Sequence, residues 1–211
     1  MKIIHYCWFG GNPKTPLIEA CMESWTVYCP DYEVKEWNES NISINYPFLE
    51  KAIKMKKWAF VSDFIRLKVL YEHGGVYLDT DIELVRNIDE LIEYDFLTGW
   101  ESELWMGFAF IVMKKGSVVG KELLDHWVSQ FSIAEDFVPI PKILTPKVEE
   151  LMNELVTENI KVLSTKAFYP FNPYDPGRPV KQLLYSHVTD QTFAIHHWEK
   201  SWGNDTLFYK L

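Results

Sequence analysis

The chain has 211 residues, of which 47% are apolar and 16% aromatic, and its formal net charge is −9. This length and apolar content allow one α/β domain with a substantial core and exclude a disordered chain. The negative charge excludes general nucleic-acid binding, because that function needs a basic surface.

Predicted strands and helices alternate through the first half of the chain. The strands are short apolar or alternating runs that end at turn residues, and the helices repeat apolar residues every three or four positions. In chain order these elements are a strand at 2–8, a helix at 15–30, a strand at 32–37 and helices at 48–58 and 59–73. Gly74 and Gly75 follow the last helix, where helices often end in a left-handed cap.

The second half contains several adjacent strands. The predicted elements are strands at 76–79, 95–100 and 107–116, helices at 119–131 and 147–158, and strands at 160–165 and 192–198. This order predicts an α/β fold with a mostly parallel sheet and an antiparallel excursion. The sequence has no linker, repeat or low-complexity run, so we predict a single domain over residues 1–211.

The cysteines and the N-terminal segment indicate the cellular compartment in which the protein is expected. Cys7, Cys21 and Cys29 are odd in number and lack CxxC spacing, which indicates a reducing cytoplasm. The apolar start is too short for a signal peptide, and no segment has transmembrane length. We therefore expect a cytoplasmic protein, either free or peripheral at the inner face of the membrane.

Four lysines lie close together in the segment KAIKMKKW, residues 51–58. The segment could face a membrane surface or an anionic acceptor. It could also be an ordinary solvated helix face.

Two carboxylates one residue apart end a buried strand in the segment GGVYLDTDIEL. Alternation along an extended chain places Asp79 and Asp81 on one side, with Thr80 pointing away. Two converging carboxylates repel each other unless a cation lies between them, and hard oxygen ligands select Mg²⁺ or Mn²⁺. The pattern indicates a metal site for a diphosphate, although a solvated turn with two acids would give the same short motif.

The preceding helix contributes a second charged pair. Asp63 and Arg66 are three residues apart and share one helix face. Such pairs are commonly surface ion pairs of small energy. This helix is otherwise apolar and leads through Gly74 into the strand before Asp79, so its polar face could lie in the same crevice.

The segment SDFIRLKVLYEHGGVYLDTDIEL resembles the signature of glycosyltransferase family 32, the DxD-containing sugar transferases that include capsular polysaccharide synthesis proteins. The first strand, KIIHYCWFGG, and the late segment FAIHHWEKSW are similar to other motifs of that family. The clostridial glucosylating toxins share the S-D-x-x-R and D-x-D parts more distantly.

The resemblance implies a GT-A fold with a Rossmann-like sheet. It also implies a metal-dependent transferase that retains the anomeric configuration. The donor would be a nucleotide-sugar, expected to be a UDP-sugar, with Mn²⁺ or Mg²⁺ as cofactor. The acceptor would be a saccharide or a lipid-linked saccharide in bacterial surface or capsular polysaccharide synthesis.

The resemblance also implies roles for individual residues. Donor contacts are expected from Trp8 on uracil, Asp63 and Arg66 on sugar and pyrophosphate, Tyr77 and Asp79 on ribose and sugar, and Ser201 and Trp202 over the diphosphate. Metal ligands are expected from Asp79, Asp81 and His197, and catalytic roles from Asp63, Arg66, Asp79 and Asp81. Two adjacent histidines of a strand point to opposite sides, and the resemblance favours His197 rather than His196 as the one that faces the metal.

The chemistry of sugar transfer agrees with this set. A metal and cationic donors can stabilise the departing diphosphate, so no strong protein acid is needed. Attack could use a carboxylate nucleophile, or it could occur on the face that the diphosphate leaves. The sequence does not identify the nucleophile.

Other interpretations remain open. A phosphatase of the haloacid dehalogenase type also uses a DxD, but that motif lies near the N-terminus and would not have Glu83 in its last place. A sugar- or nucleotide-binding protein without catalysis is a second alternative. In residues 99–110, the acidic and aromatic side chains of Trp100, Glu101, Glu103 and Trp105 could line an acceptor or sugar pocket, or form an ordinary loop.

Overall fold

A computed structural model describes residues 2–43, 45–131, 138–175, 177 and 181–199. In chain order its elements are β1 (Ile3–Cys7), α1 (Pro16–Tyr28), β2 (Glu33–Trp37), α2 (Pro47–Lys54), α3 (Trp58–His73), β3 (Gly75–Leu78), β4 (Ile82–Leu84), β5 (Phe96–Trp100), β6 (Met106–Met113), α4 (Val118–Phe131), α5 (Ile140–Glu154), β7 (Ile160–Leu163), α6 (Thr165–Phe168) and β8 (Ala194–His196). Single 3₁₀ turns occur at Asp89–Leu91 and Tyr185–His187.

Six strands form the central sheet in the order β2-β1-β3-β6-β5-β7. β6 runs antiparallel to both of its neighbours, β3 and β5, whereas the other neighbouring pairs are parallel. The predicted mostly parallel sheet with an antiparallel excursion is therefore confirmed. The carboxyl ends of β1 and β3 meet at one edge of the sheet, where open α/β sheets bind ligands.

Both faces of the sheet are covered. In β3, Val76 and Leu78 face the apolar cluster that includes Trp25 of α1, and Tyr77 faces the cluster that includes residues of α3, α4 and α5. This alternation follows the pleat of the strand. Because helices lie on both sides, the strands contain nearly continuous apolar runs.

α1 follows its local sequence signals. The Thr15 hydroxyl accepts a hydrogen bond from the Ile18 backbone N–H at 3.3 Å, and Pro16 occupies the first helical turn. Thr15 therefore satisfies one of the free donors at the helix start. The helix ends at Tyr28, immediately before Cys29 and Pro30, as the sequence predicts.

The glycine pair after α3 turns the chain from helix into β3. Gly74 has φ +70° and Gly75 has φ +110°, both in the region that favours glycine. A Cβ atom on Gly75 would lie 2.6 Å from the carbonyl oxygen of Ile3 in β1. The pair therefore permits the close approach of β3 to β1 at the amino ends of these two strands.

Some elements differ from the sequence prediction. α5 begins at Ile140 rather than near residue 147, and it includes Pro146 within the helix. β4 and β8 form a separate antiparallel pair, in which β4 was not predicted and β8 is shorter than the predicted strand. Within the described residues, the helices are all too short or too polar to cross a bilayer.

Candidate active site

The candidate site lies at the carboxyl end of β3. The Asp79 backbone N–H donates to the Ala109 carbonyl at 2.8 Å, which extends the pairing of β3 with β6 by one residue. The Ile82 N–H then donates to the Asp79 carbonyl at 3.0 Å and closes a turn over residues 79–82. This turn presents Asp79 and Asp81 at the edge of the sheet.

Arg66 joins α3 to this turn. Its Nη2 lies 3.0 Å from Asp63 Oδ1 and 3.2 Å from Asp79 Oδ1, and its Nη1 lies 3.3 Å from Asp79 Oδ2. Nη1 also donates to the Phe108 carbonyl at 2.8 Å, and Nε donates to the Ser62 carbonyl at 3.3 Å. Each nitrogen of the guanidinium thus has an acceptor within the protein.

This geometry changes the expected role of Arg66. The side chain is 5% exposed, and its donors already meet carboxylate and carbonyl oxygens. The expectation from resemblance was a direct contact to sugar and pyrophosphate. The structure instead places Arg66 beneath the site, where it orients Asp63 and Asp79 and partly neutralises their charge.

Tyr77 is likewise a buried neighbour of the carboxylates. The residue is 1% exposed, and its hydroxyl donates to Asp79 Oδ1 at 3.0 Å. The Arg66 guanidinium carbon lies 4.7 Å from the centre of its ring. The hydroxyl of Tyr77, which the resemblance implies would contact ribose, holds Asp79 in this structure.

Asp81 is held from the other side, by residues of β8 and its continuation. Its Oδ2 lies 3.3 Å from His196 Nε2 and accepts a hydrogen bond from the Glu199 N–H at 2.8 Å. Candidate ligand atoms of Asp79, Asp81 and His196 all lie within 4.8 Å of one another. This cluster has the size and composition of a metal site.

The structure places His196, rather than the expected His197, beside Asp81. Glu83 Oε2 lies 2.8 Å from His197 Nε2. His196 is opposite Ile82 in the β4–β8 ladder, and its ring points to Asp81. Register between these distant segments decides which histidine faces inward.

The electrostatics of the cluster favour a bound cation. Burial raises the pKa of Asp79, and repulsion from Asp81 adds to this effect, while Arg66 opposes it. Burial would also raise the pKa of Asp81, but His196 and backbone N–H groups, including that of Glu199, together outweigh burial and the pKa is lowered. Burial lowers the pKa of His196, and the surrounding Asp81, Asp79 and Glu101 together overcome it and raise the pKa.

Asp63 is a further buried acid beside this cluster. Burial raises its pKa to about 7, Asp79 adds to the shift, and Arg66 opposes it. Asp63 is therefore brought to the site as the sequence predicts, but in contact with Arg66 and largely shielded from solvent.

The loop between β5 and β6 brings one of its two predicted acids into the crevice. Burial raises the pKa of Glu101 to about 7, and the nearby His196 opposes this shift. The loop is closed by the Glu101 N–H, which donates to the Trp105 carbonyl at 3.0 Å. Glu103 is exposed, whereas Trp100 is partly buried against the core.

Trp8 follows β1 at the same edge of the sheet. Its indole N–H donates to the Asn12 carbonyl at 2.8 Å, and the Lys14 ammonium lies 5.1 Å from the centre of its ring. Ser201 and Trp202 lie outside the described residues. Sequence reasoning also missed Glu199, whose backbone N–H holds Asp81.

The candidate ligand atoms of Asp79, Asp81 and His196 fit a divalent cation. Two carboxylates and one imidazole converge, and the buried Nδ1 of His196 has no hydrogen-bond partner among the described residues. The neighbouring acids exceed the positive charge that Arg66 supplies. Carboxylate and imidazole ligands together suit ions such as Mn²⁺, whereas Mg²⁺ prefers oxygen alone.

Residues 17–97 match the family model of the glycosyltransferase sugar-binding region containing a DXD motif. This DXD region includes Asp63 and Arg66 together with Asp79 and Asp81. The match confirms the resemblance of residues 62–84 to the DxD-containing sugar transferases.

Curated relatives are similar to part of this chain. Inositol phosphoceramide mannosyltransferase 3 of Schizosaccharomyces pombe is 32% identical over 98 residues, which cover 44% of this chain and 27% of the relative. Lactosylceramide 4-alpha-galactosyltransferase of Homo sapiens is 22% identical over 153 residues, which cover 66% of this chain and 41% of the relative. The chain thus spans well under half the length of these two relatives.

Solved structures are similar in fold to this chain. The PaToxG glycosyltransferase has a TM-score of 0.57 at 19% identity, with 74% of both chains covered. The galactosyltransferase LgtC, solved with donor and acceptor sugar analogues, has a TM-score of 0.55 at 10% identity, covering 94% of this chain and 87% of LgtC. The fold is the GT-A glycosyltransferase type, as the resemblance implies.

Proposed function

We propose that this chain is a metal-dependent glycosyltransferase domain that transfers a sugar from a nucleotide-sugar, expected to be a UDP-sugar, to a saccharide acceptor. The observation that carries the proposal is the cluster of Asp79, Asp81 and His196 within 4.8 Å. It lies at the carboxyl edge of a GT-A sheet, and Asp79 and Asp81 fall within the matched DXD region. We propose that residues 1–211 act as one such domain.

Asp79, Asp81 and His196 would hold the metal, with Mn²⁺ favoured over Mg²⁺ because one ligand is an imidazole. A divalent ion bound there would neutralise charge on the diphosphate leaving group. Asp81 is the stronger candidate for direct ligation, since Asp79 is already engaged by Arg66 and Tyr77.

Arg66 then acts as a positioning residue. It holds Asp63 and Asp79 at fixed distances and supplies one buried positive charge behind them. Preorganised charges of this kind favour a reaction in which negative charge moves onto a leaving group, because they need no rearrangement during the step. Asp63 and Asp79 would present oxygen acceptors to donor hydroxyl groups.

The remaining donor contacts rest on the family resemblance. Trp8 would stack on uracil, and Ser201 and Trp202 would close over the diphosphate. Retention of configuration rests on the same resemblance, and the proposal names no nucleophile.

The acceptor is proposed as a saccharide, free or lipid-linked, in surface or capsular polysaccharide synthesis. The relatives act, by their names, on inositol phosphoceramide and on lactosylceramide, so lipid-linked acceptors are represented among them. We place the protein in a reducing compartment such as the cytoplasm, which agrees with three buried cysteines that form no disulfide.

The test is a donor screen scored by nucleotide release from UDP- and GDP-sugars with Mn²⁺, with Mg²⁺ and with a chelator. We expect release from at least one UDP-sugar with Mn²⁺ and its loss with the chelator. Asp81→Asn should remove this activity, whereas Asp125→Asn on the exposed surface of α4 is the matched control.

Two outcomes separate the alternatives. Mn²⁺-dependent binding of a UDP-sugar without turnover in the presence of acceptors would indicate a non-catalytic binding protein. Hydrolysis of an aryl phosphate that also needs Asp81 would indicate a phosphatase. The GT-A fold and the position of the motif after β3, rather than β1, speak against the phosphatase.

A further inference from the structure

An exposed basic corner between α2 and α3 consists of Lys51, Lys54 and Lys56. Lys51, Lys54 and Lys56 are exposed, although the chain as a whole has a formal net charge of −9. None of the three pairs with a carboxylate among the described residues. By contrast, Lys68 and Lys121 each contact an acid one helical turn away. The basic corner therefore presents free positive charge.

The backbone of the basic corner is fully folded. The Met55 N–H donates to the Lys51 carbonyl at 3.0 Å, and the Lys57 N–H donates to the Ala52 carbonyl at 2.8 Å. Lys56 has φ +55°, so it lies in a left-handed conformation that reverses the chain into α3. The lysines are thus displayed on a defined turn rather than on a loose loop.

An apolar side chain projects from the same turn. Met55 is 50% exposed, and it stands between Lys54 and Lys56 in sequence. The opposite side of α2 buries Leu49 and Ala52 in the core. The corner therefore combines cations with one long, flexible apolar side chain on its solvent side.

The basic corner lies at the edge of the sheet that carries the candidate active site. Trp58, the first residue of α3, stacks on Phe9 with ring centres 6.2 Å apart. Phe9 follows the carboxyl end of β1, which is parallel to β3 and therefore ends at the same edge. A surface that engages the basic corner would also be near the entrance to the site.

We propose that the basic corner docks the protein onto an anionic lipid bilayer. Lys51, Lys54 and Lys56 would contact acidic head groups, and Met55 would enter the interfacial layer. A bilayer matches this arrangement better than a soluble polyanion, because only a bilayer offers an apolar layer next to the negative charge. Docking in this way would bring the active-site edge close to the membrane surface.

The inference does not depend on the glycosyltransferase assignment. The test measures sedimentation of the whole chain with vesicles of phosphatidylcholine alone or mixed with phosphatidylserine. We expect binding only to the mixed vesicles, weakening as salt is added. Replacing Lys51, Lys54 and Lys56 by Gln should lower the partitioning of the protein onto mixed vesicles roughly hundredfold. This expectation follows because each lysine near an anionic surface contributes about 1 kcal/mol to binding.

A matched control removes the same charge elsewhere. Lys142, Lys161 and Lys166 are also exposed, and the triple Gln variant at these positions should bind the mixed vesicles within about threefold of the wild type. Equal loss in both triple variants would show that only total charge matters and would overturn the proposal. Wild-type binding by the Lys51/Lys54/Lys56 variant would do the same.

Met55→Ser separates a bilayer from a soluble polyanion. It should weaken vesicle binding at constant lysine content and leave binding to heparin unchanged. Two results together would reject the membrane proposal and assign the basic corner to soluble polyanions. These are vesicle binding by Met55→Ser that equals that of the wild type, and wild-type binding to heparin that is as tight as its binding to mixed vesicles. Nucleotide release measured without vesicles should be the same in all these variants, which separates this test from that of the proposed function.

Discussion

Arg66 and Asp79 are joined through both terminal nitrogens of the guanidinium, with Nη2 3.2 Å from Oδ1 and Nη1 3.3 Å from Oδ2. The contact crosses from α3 to the end of β3, and both side chains are largely buried. A paired contact of this kind fixes the orientation of the carboxylate as well as its charge. The first acid of the DXD motif is therefore already committed to a protein partner.

Replacing Arg66 by Lys tests this positioning role. Lys keeps the charge but cannot present two parallel N–H groups, so Asp63 and Asp79 would lose part of their support. We expect the free energy of unfolding to fall by about 2 kcal/mol. Nucleotide release should fall at least tenfold, which corresponds to about 1.4 kcal/mol of transition-state stabilisation.

The matched control for that substitution is Arg86→Lys, since Arg86 makes an exposed pair with Glu90 at 3.0 Å. Urea unfolding should show a change below about 0.5 kcal/mol for this variant. If Arg66→Lys has the stability and kinetics of the wild type, the paired contact of the Arg66 guanidinium with Asp79 contributes to neither stability nor activity.

The neighbouring histidines should respond differently to substitution by alanine. His196→Ala removes a candidate ligand next to Asp81, so affinity for UDP in the presence of Mn²⁺ should fall at least tenfold, about 1.4 kcal/mol. His197→Ala breaks a partly exposed contact with Glu83 and should leave that affinity within about twofold.

Isothermal calorimetry with Mn²⁺ and UDP distinguishes the two histidines directly. A large effect of His197→Ala with none of His196→Ala would reverse the register assignment. If both variants bind UDP and Mn²⁺ as the wild type does, neither imidazole is a ligand and the metal site must consist of carboxylates alone.

His5 should make the protein less stable in mild acid. Its Nδ1 accepts the Trp37 indole N–H at 3.1 Å, so the neutral ring carries its proton on Nε2, which donates to the Gly74 carbonyl at 2.9 Å. Burial lowers the pKa of His5 from 6.5 to about 4. The unfolded chain therefore takes up a proton first as the pH falls, and stability declines between pH 6.5 and about 4.

From neutral pH to about pH 5, His5 should reduce the free energy of unfolding by about 2 kcal/mol. Denaturant titrations at both pH values should show this loss in the wild type and a correspondingly smaller loss in His5→Gln and in His5→Leu. The two variants can differ in stability at neutral pH without affecting the comparison. A wild-type pH dependence in both variants would show that His5 does not titrate as its surroundings indicate.

Gly75 should be sensitive to an added methyl group. Gly75→Ala places Cβ 2.6 Å from the Ile3 carbonyl at a φ of +110°, so backbone strain and a steric clash add together. We expect a loss of about 3 kcal/mol in the free energy of unfolding. Gly116→Ala is the control, because Gly116 also has positive φ but a Cβ there meets nothing within 4 Å.

For Gly116→Ala we expect a loss of about 1 kcal/mol from the backbone conformation alone. Thermal or denaturant unfolding of both variants separates the clash from the conformational strain. Equal losses in the two variants would mean that β1 moves away from Gly75 at little cost.

Local signals were enough to predict much of the fold. Thr15 and Pro16 start α1, and Gly74 and Gly75 end α3, because capping hydrogen bonds and backbone conformation depend on near neighbours in the chain. The same holds for the strand before Asp79 and for the place of Asp79 and Asp81 at its end. The sequence therefore indicated an α/β sheet with an acidic site at its carboxyl edge.

Contacts between distant segments needed the tertiary structure. The buried partner of Arg66 is Asp79 as well as Asp63, and His196 rather than His197 lies against Asp81. Both depend on how separate elements pack and on which residues of β4 and β8 pair. A shift of one residue in that register would exchange the two histidines without changing any local pattern, because neighbouring side chains of a strand lie on opposite faces.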